Sequence, residues 1–374
     1  MDVQRLSRLP RLQRRIQAAA DEMTGGGAET GLQVCVISHG RVAADVVSGV
    51  ADPRTGAPVA ADTLFWSGST AKGVAATVAH VLAERGELDY DMRVAEVWPE
   101  FGSGGKSAVT VRQVLLHTAG VAGLPPGTTA DDLRDWDRLC ALLARETPWW
   151  EPGTRFGYHA KTFGFLIGEI IRRATGRSIG EALRSLVTGP LGIEDEVHFG
   201  VPGRLLGRVA WQVQASGPAP VLPEPGSALD RAMPPGVVPD ASYANRPDLL
   251  TADIPSEGTM TARGVALMYA ALLDSDAGLV SASRLASMAA VTFTGFDEVM
   301  GFESSWAFGY SPSRPGGAAR PGTVFGMAGM NGSFAYADIE AGVAVAVLRN
   351  QFPGDFTAAA RIDQIVRATQ GADR

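Results

Sequence analysis

The sequence is poor in the residues on which several classes of protein depend. Its 374 residues include two cysteines, Cys35 and Cys140, and five histidines. Both cysteines lie in apolar segments, and no Cys/His group has the spacing of metal ligands. We therefore expect two buried free thiols, no disulfide and no metal site. No apolar run reaches the roughly 18 residues that a membrane-spanning helix needs.

The chain also lacks a positive net charge. Its formal charge is −7, which gives no support for nucleic acid or an anionic membrane as a partner. The N-terminal segment Met1–Arg15 is basic, but it has no apolar stretch of about 7–15 residues of the kind found in secretory signals. We therefore expect a cytoplasmic protein that acts on small molecules, and the oligomeric state stays open.

The rest of the composition is typical of a globular protein. Hydrophobic residues make up 45% and charged residues 20%, which provides ample material for a core. The 45 glycines and 23 prolines indicate many turns. The length allows one large domain or two.

The first part of the chain predicts a helix and a hairpin. Leu9–Met23 has the apolar spacing of an amphipathic helix. Leu32–Ser38 and Val42–Val50 read as two strands, and His39-Gly40 supplies the two-residue turn between them.

The last part of the chain returns to strands and ends in a helix. The predicted strands are Trp306–Tyr310, Gly322–Gly326, Ser333–Ala337 and Val343–Arg349, and the predicted helix is Phe356–Thr369. Strands at both ends around a helical middle favour an α+β fold: an antiparallel β-sheet flanked by terminal helices, with an inserted, mostly helical domain. We expect residues 1–62 and 255–374 to form the sheet domain and residues 63–254 the helical domain, with the active site in the cleft between them.

The helical part includes a long segment rich in proline and glycine. Residues 201–252 contain few periodic apolar positions. Loops of this length in a compact protein are usually binding loops or lids, so we expect this segment to shape the site.

The motif that points to chemistry is Ser69-Thr70-Ala71-Lys72. On a helix, residues i and i+3 share a face, so the Lys72 amine can approach the Ser69 hydroxyl. A serine needs a base to become a nucleophile, and a lysine becomes a base when its pKa is lowered. The alternative is a serine helix cap followed by a solvated lysine.

A second serine pattern has a structural explanation. Gly176-Arg177-Ser178-Ile179-Gly180 matches the Gly-x-Ser-x-Gly elbow of α/β-hydrolases, but that elbow needs a strand before the serine. Here a helix precedes it, and Ser178 with Glu181 has the spacing of a capping box. We interpret His117, in a Gly-terminated turn, as an orienting residue that bonds main-chain carbonyls of that turn, and a general-base role is the less favoured alternative.

In combination, the motifs resemble those of the β-lactamase-like serine hydrolases. They are Ser69-Thr70-Ala71-Lys72, Leu115–Gly120, Tyr158-His159-Ala160 and Gly326–Gly329. The resemblance covers about Gln33 to Asn350 and is nearest to the carboxylesterases that share the fold of class C β-lactamases. It implies a β-lactamase/transpeptidase-like fold and no cofactor.

The resemblance also implies roles for individual residues. Ser69 would be the acylated nucleophile, Lys72 would share its proton, and Tyr158 would be general base or proton relay. The main-chain N–H groups of Ser69 and Met330 would form the oxyanion hole. A phenol near a lysine cation has a lowered pKa, so we expect a lowered value for Tyr158, and which of Tyr158 and Lys72 is the base stays open.

Two departures from the family pattern bear on the substrate. Ala160 replaces the Asn of Tyr-x-Asn, as in family esterases, and Met327 replaces the Lys or His of the third motif. Because methionine offers no charge, the site is expected to suit a neutral, partly apolar acyl group. The expected substrate contacts are Trp150, His159, Met327, Gly329 and Asn331.

The predicted function is ester hydrolysis through a Ser69 acyl-enzyme. An acyltransferase using the same Ser-Lys-Tyr set, with a small-molecule acyl donor, is the main alternative. A β-lactamase or D-Ala-D-Ala peptidase is disfavoured by Met327 and by the missing signal segment. A non-catalytic binding protein of the same fold is a further alternative.

Overall fold

The computed structural model describes residues 3–215, 223–317, 320–352 and 354–371. The helices are α1 Val3–Gly25, α2 Thr70–Glu84, α3 Val94–Val97, α4 Val111–Leu115, α5 Trp136–Arg145, α6 Thr162–Thr175, α7 Ile179–Leu183, α8 Ala228–Ala232, α9 Ala241–Ala244, α10 Pro247–Leu250, α11 Ala262–Leu273, α12 Ala282–Ala289 and α13 Thr357–Gly371. The strands are β1 Gly31–Ser38, β2 Arg41–Asp52, β3 Ala57–Pro58, β4 Phe65–Trp66, β5 Val197–His198, β6 Val213–Gln214, β7 Thr259–Met260, β8 Phe293–Phe296, β9 Glu303–Trp306, β10 Val324–Ala328, β11 Phe334–Asp338, β12 Val343–Arg349 and β13 Gln351–Phe352. Short 3₁₀ turns lie at Pro99–Gly102, Asp132–Arg134, Gly203–Arg208, Pro235–Val237 and Ser275–Ala277, and a π-helical turn lies at Arg184–Thr188.

The main sheet joins the two ends of the chain. Its order is β10-β11-β12-β1-β2-β3, and every neighbouring pair is antiparallel. Val34 in β1 lies opposite Val46 on one side and Val347 on the other. The turn between β1 and β2 places His39 and Gly40 at positive φ, as a two-residue hairpin requires. The sequence-based expectation of an α+β fold built on an antiparallel sheet is confirmed.

Each face of this sheet is covered by helices. Because side chains alternate along a strand, Leu32, Val34 and Val36 pack against α1 and α13, whereas Cys35 and Ile37 join the larger core on the other face. That larger core runs without a break from the sheet into helices α2 and α6. The boundaries proposed from the sequence, 1–62 with 255–374 and 63–254, therefore stay a prediction.

Helix α2 is the central helix of the molecule. Its residues Thr70 to Ala83 are all buried, as expected for a helix that is apolar on every side. A small sheet fixes the chain just before it: β4 pairs with β7, and β7 pairs with β5. This pairing brings the segment that precedes Thr259 to the start of α2.

Two predictions of local structure are wrong. The strand predicted at Trp306–Tyr310 ends at Trp306, and the next residues form a turn in which Ala307 N–H donates to Tyr310 O. Gly309 in that turn has φ +74° and lies directly against Ala76 of α2, where a Cβ would be 2.4 Å from the Ala76 Cβ. A flat strand cannot make this approach.

The segment 201–252 is not one continuous loop. It contains β6, α8, α9 and α10, and residues 216–222 of the predicted loop lie outside the described residues. Cys35 and Cys140 are buried free thiols, as predicted. Among the described residues, no helix is both long and apolar enough to cross a membrane.

We expect Ile16→Ala to lower the free energy of unfolding by about 2–5 kcal/mol, the usual cost of emptying a filled site in a core. Ile16 on α1 is fully buried between this helix and the sheet. The measurement is equilibrium unfolding in urea. Arg14→Ala on the same helix removes an exposed side chain and should change stability by less than about 0.5 kcal/mol; equal effects of the two changes would contradict the packing described.

Candidate active site

Ser69 lies at the first turn of α2, and its hydroxyl is not used to cap the helix. It occupies the N-cap position of the helix, yet its side chain makes no capping hydrogen bond. Instead, Lys72 Nζ lies 2.9 Å from Ser69 Oγ. This arrangement disagrees with the reading of Ser69 as a simple helix cap.

Lys72 is held away from water. Its side chain is 1% exposed, and Nζ also donates to the carbonyl oxygen of Ser256 at 3.1 Å. Burial lowers the pKa of Lys72 to about 7, the positive charge of Lys161 acts in the same direction, and Glu257 opposes it. A neutral amine has a lone pair that can accept the Ser69 proton, so the geometry suits Lys72 as a base near neutral pH.

Tyr158 completes the cluster. Lys72 Nζ lies 5.1 Å from the centre of its ring, and a hydrogen bond with the Ser69 side chain acts on its phenol. Burial raises the pKa of Tyr158 far above its ordinary value, and the carboxylate of Asp297 adds to the rise. The expectation of a lowered pKa is therefore wrong, because burial outweighs the hydrogen bond with Ser69, which acts to lower the pKa of Tyr158; the phenol is a proton donor at neutral pH.

The loop that carries Tyr158 is fixed by its neighbours. Tyr158 N–H donates to Asp297 Oδ1 at 3.0 Å, and the ring stacks on Trp306 with 5.6 Å between centroids. His117 Nδ1 accepts from His159 N–H at 3.0 Å. His117 adopts φ +58° and has a pKa well below its ordinary value, because burial disfavours its charge. It orients the tyrosine loop, as the sequence suggested, through main-chain N–H rather than through carbonyls.

Two main-chain N–H groups point to an oxyanion site. Among the described residues, neither Ser69 N–H nor Met330 N–H has a hydrogen-bond acceptor. The Met330 nitrogen lies 3.5 Å from the position that a Cβ on Gly68 would take, and Gly68 has φ +52°. Gly329 presses against Ser67, since a Cβ on Gly329 would lie 2.1 Å from Ser67 O. This close approach brings the turn that carries Met330 against the segment that leads into Ser69.

The proposed substrate contacts divide into two groups. Met327 on β10 packs against the aromatic group around Tyr158 and against the first turn of α2, where a Cβ on Gly73 would lie 3.4 Å from Met327 Cβ. Met327 and Gly329 thus adjoin the cluster.

The other three lie inside the protein. Trp150 donates to Thr118 O at 3.1 Å and packs beneath the tyrosine loop. His159 is fully buried, with Nδ1 2.7 Å from Gly157 O. Asn331 is fully buried and donates to two main-chain carbonyls. Because Trp150 Nε1, His159 Nδ1 and Asn331 Nδ2 each bond to main-chain carbonyls, we assign these three a supporting position; among the described residues His159 Nε2 has no hydrogen-bond partner.

Sequence reasoning missed the residues that hold the cluster from a distance. Ser256, Asp297 and Trp306 contact Lys72 or Tyr158 but lie far from them in the chain. No short-range spacing marks them. Ser178, by contrast, is the predicted N-cap of α7 with a full capping box to Glu181, and Gly176 ends α6 in a left-handed conformation.

The chain is similar to esterases and to penicillin-binding proteins along most of its length. A family model described as Beta-lactamase matches residues 16–370. The esterase/beta-lactamase LipL of Mycobacterium tuberculosis is 34% identical over 353 residues, which cover 87% of this chain and 77% of LipL. A solved family VIII carboxylesterase has a TM-score of 0.87 at 33% identity and covers 96% of this chain and 97% of its own. A penicillin-binding protein homologue from Caulobacter crescentus has a TM-score of 0.84 at 32% identity, with the same coverage of both chains.

The lowered pKa of Lys72 predicts an acid limb in the pH dependence of kcat/KM. Below about pH 7 the amine is protonated and cannot accept the Ser69 proton, so the rate should rise through that pH and then level off. A neutral ester substrate avoids titration of the substrate itself. Lys72→Met should remove both the activity and the limb, and a wild-type profile without an acid limb would contradict this assignment.

We expect Gly329→Ala to lower kcat by about 10², since losing one oxyanion donor typically costs 10²–10³. The added Cβ would collide with Ser67 O and move Met330 N–H away from Ser69. Steady-state kinetics on a chromogenic ester provides the measurement.

Gly207→Ala is the matched control, because a Cβ at Gly207 meets nothing within 4 Å. It should leave kcat unchanged. An unaltered kcat in Gly329→Ala would show that Met330 N–H does not bind the oxyanion.

Proposed function

This chain belongs to the β-lactamase family, and we propose that it is a carboxylesterase that works through a Ser69 acyl-enzyme. The observation that carries the proposal is the contact between Lys72 Nζ and Ser69 Oγ at 2.9 Å, with the buried amine shifted toward its neutral form. Tyr158 lies against both groups. The kinship with carboxylesterases supports the same assignment.

The geometry supports a two-step reaction. Ser69 Oγ attacks the ester carbonyl while neutral Lys72 accepts the hydroxyl proton, and the N–H groups of Ser69 and Met330 bind the oxyanion. Collapse of the tetrahedral intermediate breaks the bond to the leaving alcohol. The phenol of Tyr158 gives that alcohol a proton and regains one from protonated Lys72, which restores the neutral amine. Water then attacks the acyl-enzyme by the same proton path and releases the acid.

The surroundings of Ser69 favour neutral, apolar acyl groups. Met327 stands where related motifs carry a cation, and Phe156, Phe293 and Trp306 form the wall beside it. Phe302 on the neighbouring hairpin and Met330 at the oxyanion turn expose 53% and 39% of their surface. An apolar acyl or alcohol group can cover such surface, whereas a carboxylate would be desolvated beside Met327 without a partner.

Acyl transfer would use the same residues with an alcohol in place of water, so it stays an alternative that product analysis can decide. A small-molecule ester as partner, the absence of nucleic-acid and membrane partners, and a cytoplasmic location stay predictions from the sequence.

The function is tested with 4-nitrophenyl butyrate, 4-nitrophenyl succinate and nitrocefin. We expect kcat/KM for the butyrate to exceed that for the succinate at least about tenfold, because a missing charge partner costs at least one factor of ten. Nitrocefin should turn over poorly. An added alcohol that diverts most butyrate into a new ester would identify an acyltransferase.

Ser69→Ala should lower the esterase rate by about 10³ or more and abolish the butyryl adduct seen by mass spectrometry of the intact protein. Ser178→Ala, in the other serine motif, should keep full activity and lose only about 1 kcal/mol of stability as a removed helix cap. Full activity of Ser69→Ala would refute the mechanism.

A further inference from the structure

A buried ion pair lies next to the cluster but takes no part in the reaction described. The side chains of Lys161 and Glu257 are 3% and 8% exposed, and Lys161 Nζ contacts Glu257 Oε1. Tyr243 donates to the same carboxylate oxygen at 3.1 Å. Taking two charges out of water is costly unless they are paired, so a pair at this place calls for a reason.

The pair joins the two segments that hold the reacting groups. Lys161 comes three residues after Tyr158, immediately before α6. Glu257 follows Ser256, whose carbonyl accepts a hydrogen bond from Lys72.

The backbone around the pair is packed tightly as well. Gly258 O accepts from Ser67 N–H at 2.8 Å. A Cβ on Gly164 in α6 would lie 2.2 Å from Ser256 N, so the first turn of α6 rests directly on the segment that holds Lys72.

We infer that Lys161 and Glu257 are positioning residues of this site: their ion pair fastens the tyrosine segment to the lysine-holding segment and places opposite charges beside Lys72. The inference rests on the proposed function, because it assigns the pair a part in preparing Lys72 as the base.

The charges around Lys72 support this role. The chain has three lysines, and all are buried. Lys161 lowers the pKa of Lys72, and Glu257 raises it. The other titratable groups facing Lys72 are uncharged near neutral pH: His117 has a pKa well below its ordinary value, and Tyr158 has one far above it. The ion pair therefore supplies the charges that bias Lys72.

Substituting Lys161 and Glu257 one at a time should shift the midpoint of the acid limb in opposite directions. Lys161→Met removes a positive charge and leaves Glu257, so the midpoint of the acid limb in kcat/KM should move to higher pH. Glu257→Gln leaves Lys161 unneutralised, so the midpoint should move to lower pH. We expect each shift to be about half a pH unit or more, the scale of interactions between nearby charges inside a protein.

A purely structural role would not produce shifts of opposite sign. Lys106→Met and Glu169→Gln are the matched controls, since each removes a buried charge elsewhere in the helical region. They should lower stability but leave the midpoint unchanged. Shifts of Lys161→Met and Glu257→Gln in one direction, or no shifts, would overturn the inference.

The double variant Lys161→Met/Glu257→Gln decides the matter if a single variant does not fold, because it leaves no unpaired buried charge. Its midpoint should lie nearer that of the wild type than the midpoint of a single variant that folds, since the two charges act on Lys72 in opposite directions. A midpoint farther from the wild type than that of the folded single variant would overturn the inference. The butyryl adduct on wild-type Ser69 distinguishes the two proposals. If no adduct forms, the proposed function is wrong. If an adduct forms but the midpoints of the acid limb do not shift in the Lys161 and Glu257 variants, only the role of the ion pair is wrong.

Discussion

The burial of Lys72 is the constraint on which the rest of the site depends. An exposed lysine would stay protonated at neutral pH and could only attract anions. Within α2, which is covered on every side, the amine is removed from water. Its pKa falls, and it becomes able to take a proton from Ser69. The Ser256 carbonyl fixes its direction. The proposed nucleophile, its proposed base and the helix that carries them are therefore products of one packing arrangement.

That packing needs segments from distant parts of the chain. The small sheet of β4, β5 and β7 brings the residues before Thr259 to the start of α2. The end of β10 approaches so closely that Gly329 has no room for a side chain. Asp297 ties the tyrosine loop to the hairpin of β8 and β9. Each contact fixes the distance between a reacting group and the next, which is how a protein positions groups that its sequence separates.

The sequence was most informative where the signal was local. The hairpin at His39-Gly40, the antiparallel sheet from both chain ends and the cap at Ser178 followed from short-range patterns, and the structure has them. The pairing of Ser69 with Lys72 followed from helical spacing. The shift in the pKa of Tyr158 could not be predicted from the sequence, because the direction of that shift depends on burial by segments far away in the chain.

The same limit explains the residues that sequence reasoning missed and those whose surroundings it could not give. His159 and Asn331 are next to motif residues in the sequence, but their side chains turn inward to satisfy main-chain groups. Lys161 and Glu257 meet across 96 positions of the chain. Spacing along the sequence reports which residues share an element; it does not report which elements meet.

The burial of Lys72, Lys106 and Lys161 also determines how the protein responds to chemical modification. Because these are its only lysines, acylating dyes and amine-coupling resins find no ε-amino group on the surface, and attachment through carboxylates would be the practical route. An isocyanate small enough to enter beside Ser69 would meet the ε-amine of Lys72, whose pKa of about 7 leaves about half of it uncharged near pH 7. Inactivation by such a reagent would therefore report on access to the proposed active site.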